Sequence, residues 1–370
     1  MRLRDRGRID VQLATAIFGL AVFGLLMLYS ASADLSRVAT GSATNSTYYL
    51  ILQLEAFGVG MVAWILLQLV DYHKYQKWMW WWFGVTAILL ISVIFISKGE
   101  VNGAHRWISV FGQTFQPSEI SKLTLILFLA SWFSRQQSRV TSWTTGLLPF
   151  LLIIGAISAL MLKQRDLGSL GVLVCIAVAM YVVAGAKLSQ ISTVILAMCA
   201  VVVTAIKIAP YRLARITAFL NPDAATLGTG YHISQAKISI GLGGLWGKGF
   251  LQGVQKQGFL PEAHTDSIFA VVVEELGFLR ASLVVLVFGF IGLRGLRVAK
   301  YAPDMFGTLL AVGITTWFVS QALINMSAMV SLVPLTGVPL PFISFGRSAL
   351  VAAFMATGVL LNISRHMEAK

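Results

Sequence analysis

The run Leu260-Pro261-Glu262-Ala263-His264-Thr265-Asp266-Ser267 sets two carboxylates, an imidazole and a hydroxyl side by side at the edge of an apolar segment. It closes the longest polar stretch of a chain that is otherwise strongly apolar. Ionisable groups at a membrane boundary are costly to place and default to a functional role. Asp266 is the leading candidate. A carboxylate at such an edge is partly desolvated, which raises its pKa toward working pH and suits it to accept a proton. His264 and Thr265 flank it, and His264 is placed to tune or orient it. A competing reading makes Asp266 the cap of a helix starting near Ser267, since Asp is a favoured N-cap. The two roles can coexist.

Other charged residues sit inside or beside apolar runs. Glu119 and Lys122 are three apart and share one helical face. They form either an internal ion pair or a charged cavity wall. Asp166 admits the same two readings, with Arg165 or Lys163 as partner. Glu274 and Glu275 point roughly 100° apart on a helix, so at most one faces a cavity. The other pairs with a basic group such as Arg280. Gly241, Gly243, Gly244, Gly247 and Gly249 lack the spacing and context of a nucleotide loop, and read instead as a loop packed tightly at the membrane surface. Asn325 and Ser344 read as interhelical hydrogen-bond partners.

The elements that must hold these residues are membrane helices. The chain has 370 residues, of which 57% are hydrophobic and 12% charged, about half the charged share of a soluble protein. Mean hydropathy is +0.79. Apolar runs of spanning length fall near 11–32, 48–69, 78–97, 118–134, 144–162, 167–185, 188–209, 267–293, 305–330 and 341–363. The expected fold is an all-α polytopic membrane protein, one domain over 1–370. It has about ten transmembrane helices and a long extracytoplasmic loop, approximately 210–266, between the seventh and eighth. Continuous runs rather than alternation exclude a β-barrel. The first run is long enough to be a retained helix rather than a cleaved signal.

Basic residues before the first helix, in alternate connections and after the last fall on one face, which the positive-inside rule makes cytoplasmic. The long loop carries Arg212, Arg215, Lys237, Lys248 and Lys256, either as neutral passengers or as an anion-binding rim. Cys175 and Cys199 read as buried small hydrophobes. The net charge of +13 lacks the basic helix of a nucleic-acid binder. It suits membrane lipid headgroups and lipid-linked phosphates.

Four motifs then line up in order. They are Asn102-Gly103-Ala104-His105-Arg106-Trp107-Ile108 with Gln116-Pro117-Ser118-Glu119-Ile120-Ser121-Lys122; Gln164-Arg165-Asp166-Leu167-Gly168; the glycine run through Gly249 with Leu260–Asp266 and Glu274-Glu275-Leu276-Gly277; and Pro334–Gly346. Together they resemble the SEDS family (shape, elongation, division and sporulation), the FtsW/RodA proteins. Pro261-Glu262-Ala263-His264 after Val254-Gln255-Lys256 is more similar to the division branch, FtsW, than to the elongation branch, RodA. Two departures stand out: Arg165 where the family has proline, and Ser344-Phe345-Gly346-Arg347-Ser348 where it has Ser-Tyr-Gly-Gly-Ser.

The resemblance implies a peptidoglycan glycosyltransferase of the bacterial cytoplasmic membrane. It would polymerise lipid II, an undecaprenyl-pyrophosphate-linked disaccharide-pentapeptide, on the outer face. Its implied partners are a class B penicillin-binding protein, which cross-links the strands, and other division proteins at the septum. Asp266 would be the general base. Arg106, Lys122 and Lys248 would meet the pyrophosphate, Arg being suited to bidentate contact. Trp107, Glu119, Asp166, His264, Thr265 and Ser344 complete the substrate-contacting candidates, although a Trp near a membrane edge is more commonly an interfacial anchor. A divalent cation, Mg²⁺ or Mn²⁺, would neutralise the leaving group, with Asp266 among its ligands. The alternatives are a lipid II flippase, an elongation polymerase, or a scaffold without catalysis.

Overall fold

The computed structural model describes residues 7–42, 44–96, 107–110, 113–136, 139–208, 210–220 and 228–367. In chain order come α1 (Val11–Thr40), α2 (Tyr48–Leu69), the single turn α3 (His73–Gln76), α4 (Met79–Ile96), a hairpin of β1 (Ile108–Val110) and β2 (Gln113–Phe115), and α5 (Pro117–Arg135). A π-helical turn, Trp143–Leu147, leads into α6 (Leu148–Lys163). Then follow α7 (Leu167–Val183), α8 (Leu188–Ile208), α9 (Pro210–Leu220), α10 (Thr229–Gly243), α11 (Ile268–Lys300), α12 (Met305–Met329) and α13 (Arg347–Ser364). The expected all-α polytopic architecture is present. Eight of these helical segments, the one through α6 counted with its π-turn, are long and apolar enough to cross a membrane. The other two expected spans are α7, apolar but 17 residues long, and α5, which carries Glu119 and Lys122.

Helix α5 lies at the centre. From Pro117 to Phe133 every residue but Ile120 is buried, as expected of a helix enclosed on all sides. Helices α12 and α13 are also largely buried, whereas α8 leaves most of its apolar surface outward. Close helix contacts use small residues. Gly60 of α2 faces the Phe354 ring, and Gly358 of α13 faces the Trp64 backbone.

The connections sort to two ends. At one end the Asp10 amide bonds Ser364 Oγ at 3.0 Å, and Arg294 pairs with Asp10 at 2.7 Å. There too Tyr72 bonds Asn362 and Asp304, Arg135 bonds the Gln76 carbonyl, and Gln190 bonds the Val140 and Ser142 carbonyls. At the other end lie the hairpin, the start of α7, the 330–346 connection and the segment from α9 to α11.

That segment is not the irregular loop expected over 210–266. It contains α9 and α10. Helix α9 is short and amphipathic, and α10 mixes glycine and β-branched residues with polar ones, so neither shows the apolar length of a span. Two of its five cations, Arg212 and Lys256, are buried and so cannot belong to a rim. Arg212 is buried and donates to the Ala205 and Leu162 carbonyls, both at 2.9 Å, near the C-terminal ends of α8 and α6. A cation is favoured there by both helix dipoles. Cys175 and Cys199 are exposed on the outward surface rather than buried.

Helix α11 is interrupted. Gly277 has φ 79° and ψ 169°, a conformation open to glycine but not to a residue with a Cβ. From Phe278 to Lys300 the helix is ~34 Å long, enough to cross a hydrocarbon core of about 30 Å alone. The preceding half, Ile268–Glu275, is buried throughout.

Candidate active site

The turn ahead of α11 is fixed on both sides of Asp266. The amides of Thr265 and Ser267 both donate to the Glu262 carbonyl at 3.1 Å, and the Phe345 amide donates to the His264 carbonyl at 2.9 Å. Asn325 of α12 donates to the carbonyls of Asp266 and Val338, each at 2.7 Å. Asn325 is thus the interhelical partner expected, and its target is the candidate base's own peptide. Thr265 Oγ1 lies 2.7 Å from Glu262 Oε2 and 3.4 Å from Asp266 Oδ1, a hydroxyl between two carboxylates. Asp266 is half-buried. It does not cap α11. Ser267 holds the N-cap position, without a side-chain capping bond.

Two histidines adjoin this turn. The His264 ring packs 4.9 Å from Tyr49 and 5.6 Å from Phe345. Its Nδ1 is buried with no hydrogen-bond partner among the described residues. Burial lowers its pKa, against the pull of Glu262. His232, on α10, sets Nε2 2.5 Å from Ser267 Oγ. Burial lowers its pKa to about 4, with Glu262 opposing and Arg215 reinforcing the shift. His232 is therefore neutral in the folded protein at neutral pH. The unfolded chain takes up a proton near the ordinary value of about 6.5, so it binds more protons than the folded state below that pH. The stability that neutral His232 confers is complete above about 6.5 and is lost as pH falls toward 4. Thermal unfolding across that range should show the fall for wild type and a shallower one for His232→Gln.

The glycine-rich segment packs into the break in α11. The Lys248 and Gly249 amides donate to the carbonyls of Glu274 (3.0 Å) and Glu275 (2.9 Å), and the Phe278 amide donates to the Gly244 carbonyl at 2.9 Å. A Cβ on Gly247 would come within 2.2 Å of the Glu275 carbonyl oxygen, and one on Gly277 within 2.3 Å of the Gly247 nitrogen. These glycines permit backbone-to-backbone contact, as read from the sequence.

Both glutamates of the pair are buried, and the expected pairing with a basic group is present, but the partners are Lys256 and Lys248 rather than Arg280. The loop wraps over α11, so two side chains about 100° apart both meet it. Glu274 accepts from the Val254 and Gln255 amides and from Ser239, with Lys248 at 3.8 Å. Glu275 accepts from Ser30 of α1, the Leu251 amide, and Lys256 at 2.6 Å. Arg280 is exposed and bonds the Trp246 carbonyl. The expected pyrophosphate ligand Lys248 thus lies beside Glu274, and Lys256 is enclosed.

Glu119 and Lys122 form a buried layer beneath the site. Lys122 Nζ is 2.7 Å from Glu119 and 2.6 Å from Gln321 Oε1, and stands 5.0 Å over the Trp317 ring. Both readings of the pair find support. It is an internal ion pair, and Glu119 also lines a small crevice with Gln321, Leu340, Phe342 and Ser344. Lys122 lies behind that wall, with no surface for a phosphate. Ser344, expected as an interhelical partner, lies ahead of α13, and its side chain accepts from the Leu340 amide of its own turn at 2.7 Å. Asp166 caps α7, accepting from the Ser169 amide at 3.2 Å. Trp107 is half-buried ahead of β1. Arg106 lies outside the described residues.

Residues 11–369 match the FtsW/RodA/SpoVE family of cell cycle proteins. The chain belongs to this family. Stage V sporulation protein E of Bacillus subtilis (strain 168) is 38% identical over 358 residues, 96% of this chain and 97% of that protein. The probable peptidoglycan glycosyltransferase FtsW of Trichlorobacter lovleyi is 37% identical over 360 residues, 97% and 94% of the two chains. Among solved structures, a chain of a peptidoglycan synthase complex that coordinates polymerization and crosslinking superposes with TM-score 0.79 at 25% identity, covering 96% of this chain and 98% of its own. The rod shape determining protein RodA of Thermus thermophilus shares the fold, with TM-score 0.71 at 22% identity and 98% of each chain covered.

Within this SEDS chain the two departures have local explanations. Arg165 has φ 60°, which a proline ring cannot adopt, so the turn into α7 is built on a different backbone from the one proline dictates. Arg347 opens α13 half-buried, while Ser348 beside it turns inward and accepts the Gln116 amide at 3.1 Å. The close contact at this helix start falls on the serine. Sequence reasoning passed over Gln53, whose side chain bonds the Ser344 carbonyl and the Gly346 amide, as well as Gln321 and His232. An amide inside an apolar helix was the available signal for the first two.

Proposed function

We propose that this chain polymerises lipid II into glycan strands on the outer face of the cytoplasmic membrane, with Asp266 as the general base. The observation that carries the reading is the presentation of Asp266. A half-buried carboxylate sits on a turn pinned by Asn325 and by the Phe345 amide, in a chain that aligns end to end with proteins named peptidoglycan glycosyltransferase. A base held this rigidly loses little freedom on reaction. As the acceptor hydroxyl attacks C1 of the donor sugar, its proton passes to the Asp266 carboxylate. The bond from C1 to the phosphate oxygen breaks, and undecaprenyl pyrophosphate leaves.

The end bearing Asp10, Lys74, Lys77, Arg135, Lys187, Arg294, Lys300 and Arg365 is cytoplasmic by the positive-inside rule, which puts both termini inside and the Asp266 turn outside. The Pro261–His264 motif and the FtsW relatives support septal synthesis alongside a class B penicillin-binding protein and other division proteins. Transport needs a continuous polar path, whereas Glu119 and Lys122 are spent on each other and on Gln321.

Among the described residues no three His, Cys, Asp or Glu side chains converge on a metal-binding position. A divalent cation at Asp266 would therefore take most of its ligands from substrate phosphates, as Mg²⁺ commonly does. Such an ion supplies charge neutralisation at the leaving group. Polymerisation should cease in chelator and return with Mg²⁺ or Mn²⁺; full activity in chelator removes the ion from the reading.

The test of the whole proposal is conversion of lipid II to glycan strands by the reconstituted chain, alone and with its transpeptidase. Strand formation is expected. No product in either condition overturns it.

A further inference from the structure

Helix α10 lies along the first half of α11 through residues of one face. Gly243 approaches the Val273 carbonyl so closely that a Cβ there would come within 2.1 Å of it. Ser239 donates to the Ala270 carbonyl at 3.2 Å and to Glu274 at 2.9 Å. His232 meets Ser267 at 2.5 Å. The positions 232, 239 and 243 recur at the spacing of a helical stripe. The two lower contacts hold the helices together where the glycine-rich loop docks. The uppermost falls on the residue directly after Asp266. It is the contact of this stripe made by an imidazole, a group able to act as donor or acceptor.

Ser267 is where the chain leaves the turn and enters α11. Its amide already donates to the Glu262 carbonyl, and its backbone angles, φ −93° and ψ 5°, lie off the helix. The side-chain bond to His232 is what ties this junction to α10. The peptide between Asp266 and Ser267 carries the carbonyl held by Asn325. The junction is therefore held from two sides, the peptide by Asn325 of α12 and the Ser267 side chain by His232 of α10.

We propose that His232 is a positioning residue for glycosyl transfer: by holding Ser267 it sets the direction of the Asp266 carboxylate. The inference rests on the reading of Asp266 as the base. A neutral imidazole suits this role, because it fixes the serine without placing a full charge beside the carboxylate. A small displacement of a catalytic group lowers turnover steeply while leaving substrate affinity nearly intact. This separates positioning from plain structural support.

The test is lipid II polymerisation by the reconstituted full chain, comparing His232→Ala, Ser267→Ala, the double variant and His232→Gln, with Asp266→Asn run in parallel and thermal unfolding recorded for each. His232→Ala and Ser267→Ala should each lower kcat roughly tenfold or more, with KM within about twofold of wild type. The double variant should be no worse than the worse single, because both remove one interaction. His232→Gln, whose amide can bond Ser267, should recover most of the rate. Unchanged kcat in both alanine variants overturns the proposal, as does an additive loss in the double variant or a loss that follows only the folded fraction. If His232→Ala fails to fold, Ser267→Ala carries the same test. An inactive Asp266→Asn beside fully active alanine variants sinks this inference alone. A fully active Asp266→Asn sinks the base assignment and this inference with it.

Discussion

Asp266→Asn is expected to reduce lipid II polymerisation by about 10²–10⁴-fold, the range that general base catalysis contributes, while leaving the fold intact. The change is nearly isosteric. The bonds that hold the turn go to the Asp266 carbonyl and to its neighbours' backbone, so an amide side chain leaves them in place. What it removes is the negative charge and, with it, the capacity to take a proton. Asp266→Glu is a sharper probe, because it keeps the carboxylate and moves it by about one bond. A base positioned as tightly as this one should lose most of its rate in that variant too. The measurement is initial rate of strand formation at matched protein content, with thermal unfolding to show that the variants fold. Wild-type rates in Asp266→Asn would remove it from the mechanism.

Removing Glu275 is expected to have the largest effect on stability. Its carboxylate receives Lys256, both contacts from Ser30 and the Leu251 amide, all in a buried setting. Glu275→Ala leaves the Lys256 ammonium enclosed, with Ser30 as its remaining partner among the described residues. Stranding one member of a buried ion pair costs about 3–5 kcal/mol. The loop over 248–256 should become open to proteolysis, because the Leu251 amide loses its acceptor as well. The double variant Glu275→Leu with Lys256→Met should recover much of the loss, since well-packed apolar residues commonly replace a buried pair at little cost. Thermal unfolding and limited proteolysis of the three proteins check this. Equal stability of wild type and Glu275→Ala would mean that the pair does not hold the loop.

The ten expected spans were legible as helices, eight of them long and apolar enough to cross a membrane, because a crossing needs a long apolar run and such runs survive in composition alone. The first nine of them start within a residue or two of the helical segments observed, the fifth counted from its π-turn at Trp143; the tenth begins later, at Arg347 rather than 341, because Pro341–Gly346 belongs to the turn that Gln53 holds. Helices α9 and α10 escaped notice because they lie outside the apolar segments and bury only one face each. The importance of the Leu260–Ser267 run was visible from its chemistry. Its supports were not: Asn325 was legible as a partner between helices but not its target, His232 reaches Ser267 from α10, and Gln53 acts one step removed by holding the 344–346 turn whose Phe345 amide bonds His264. A basic partner for one glutamate was expected and is present, but it is not Arg280, for a related reason. The choice of Arg280 used helical neighbours alone, and the true partner, Lys256, arrives on a loop that folds back over the helix.

The interruption at Gly277 separates two questions that a continuous helix would tie together. In an unbroken rod, inserting one residue anywhere in the membrane portion rotates everything beyond it by about 100° and shifts it by 1.5 Å. Here the amides and carbonyls on either side of the break are joined to the Gly244–Gly249 segment, so the upper half takes its register from that segment rather than from the lower half. A lineage could lengthen or shorten the part from Phe278 to Lys300 to fit a thicker or thinner bilayer, and the carboxylate of Asp266 would keep its aim.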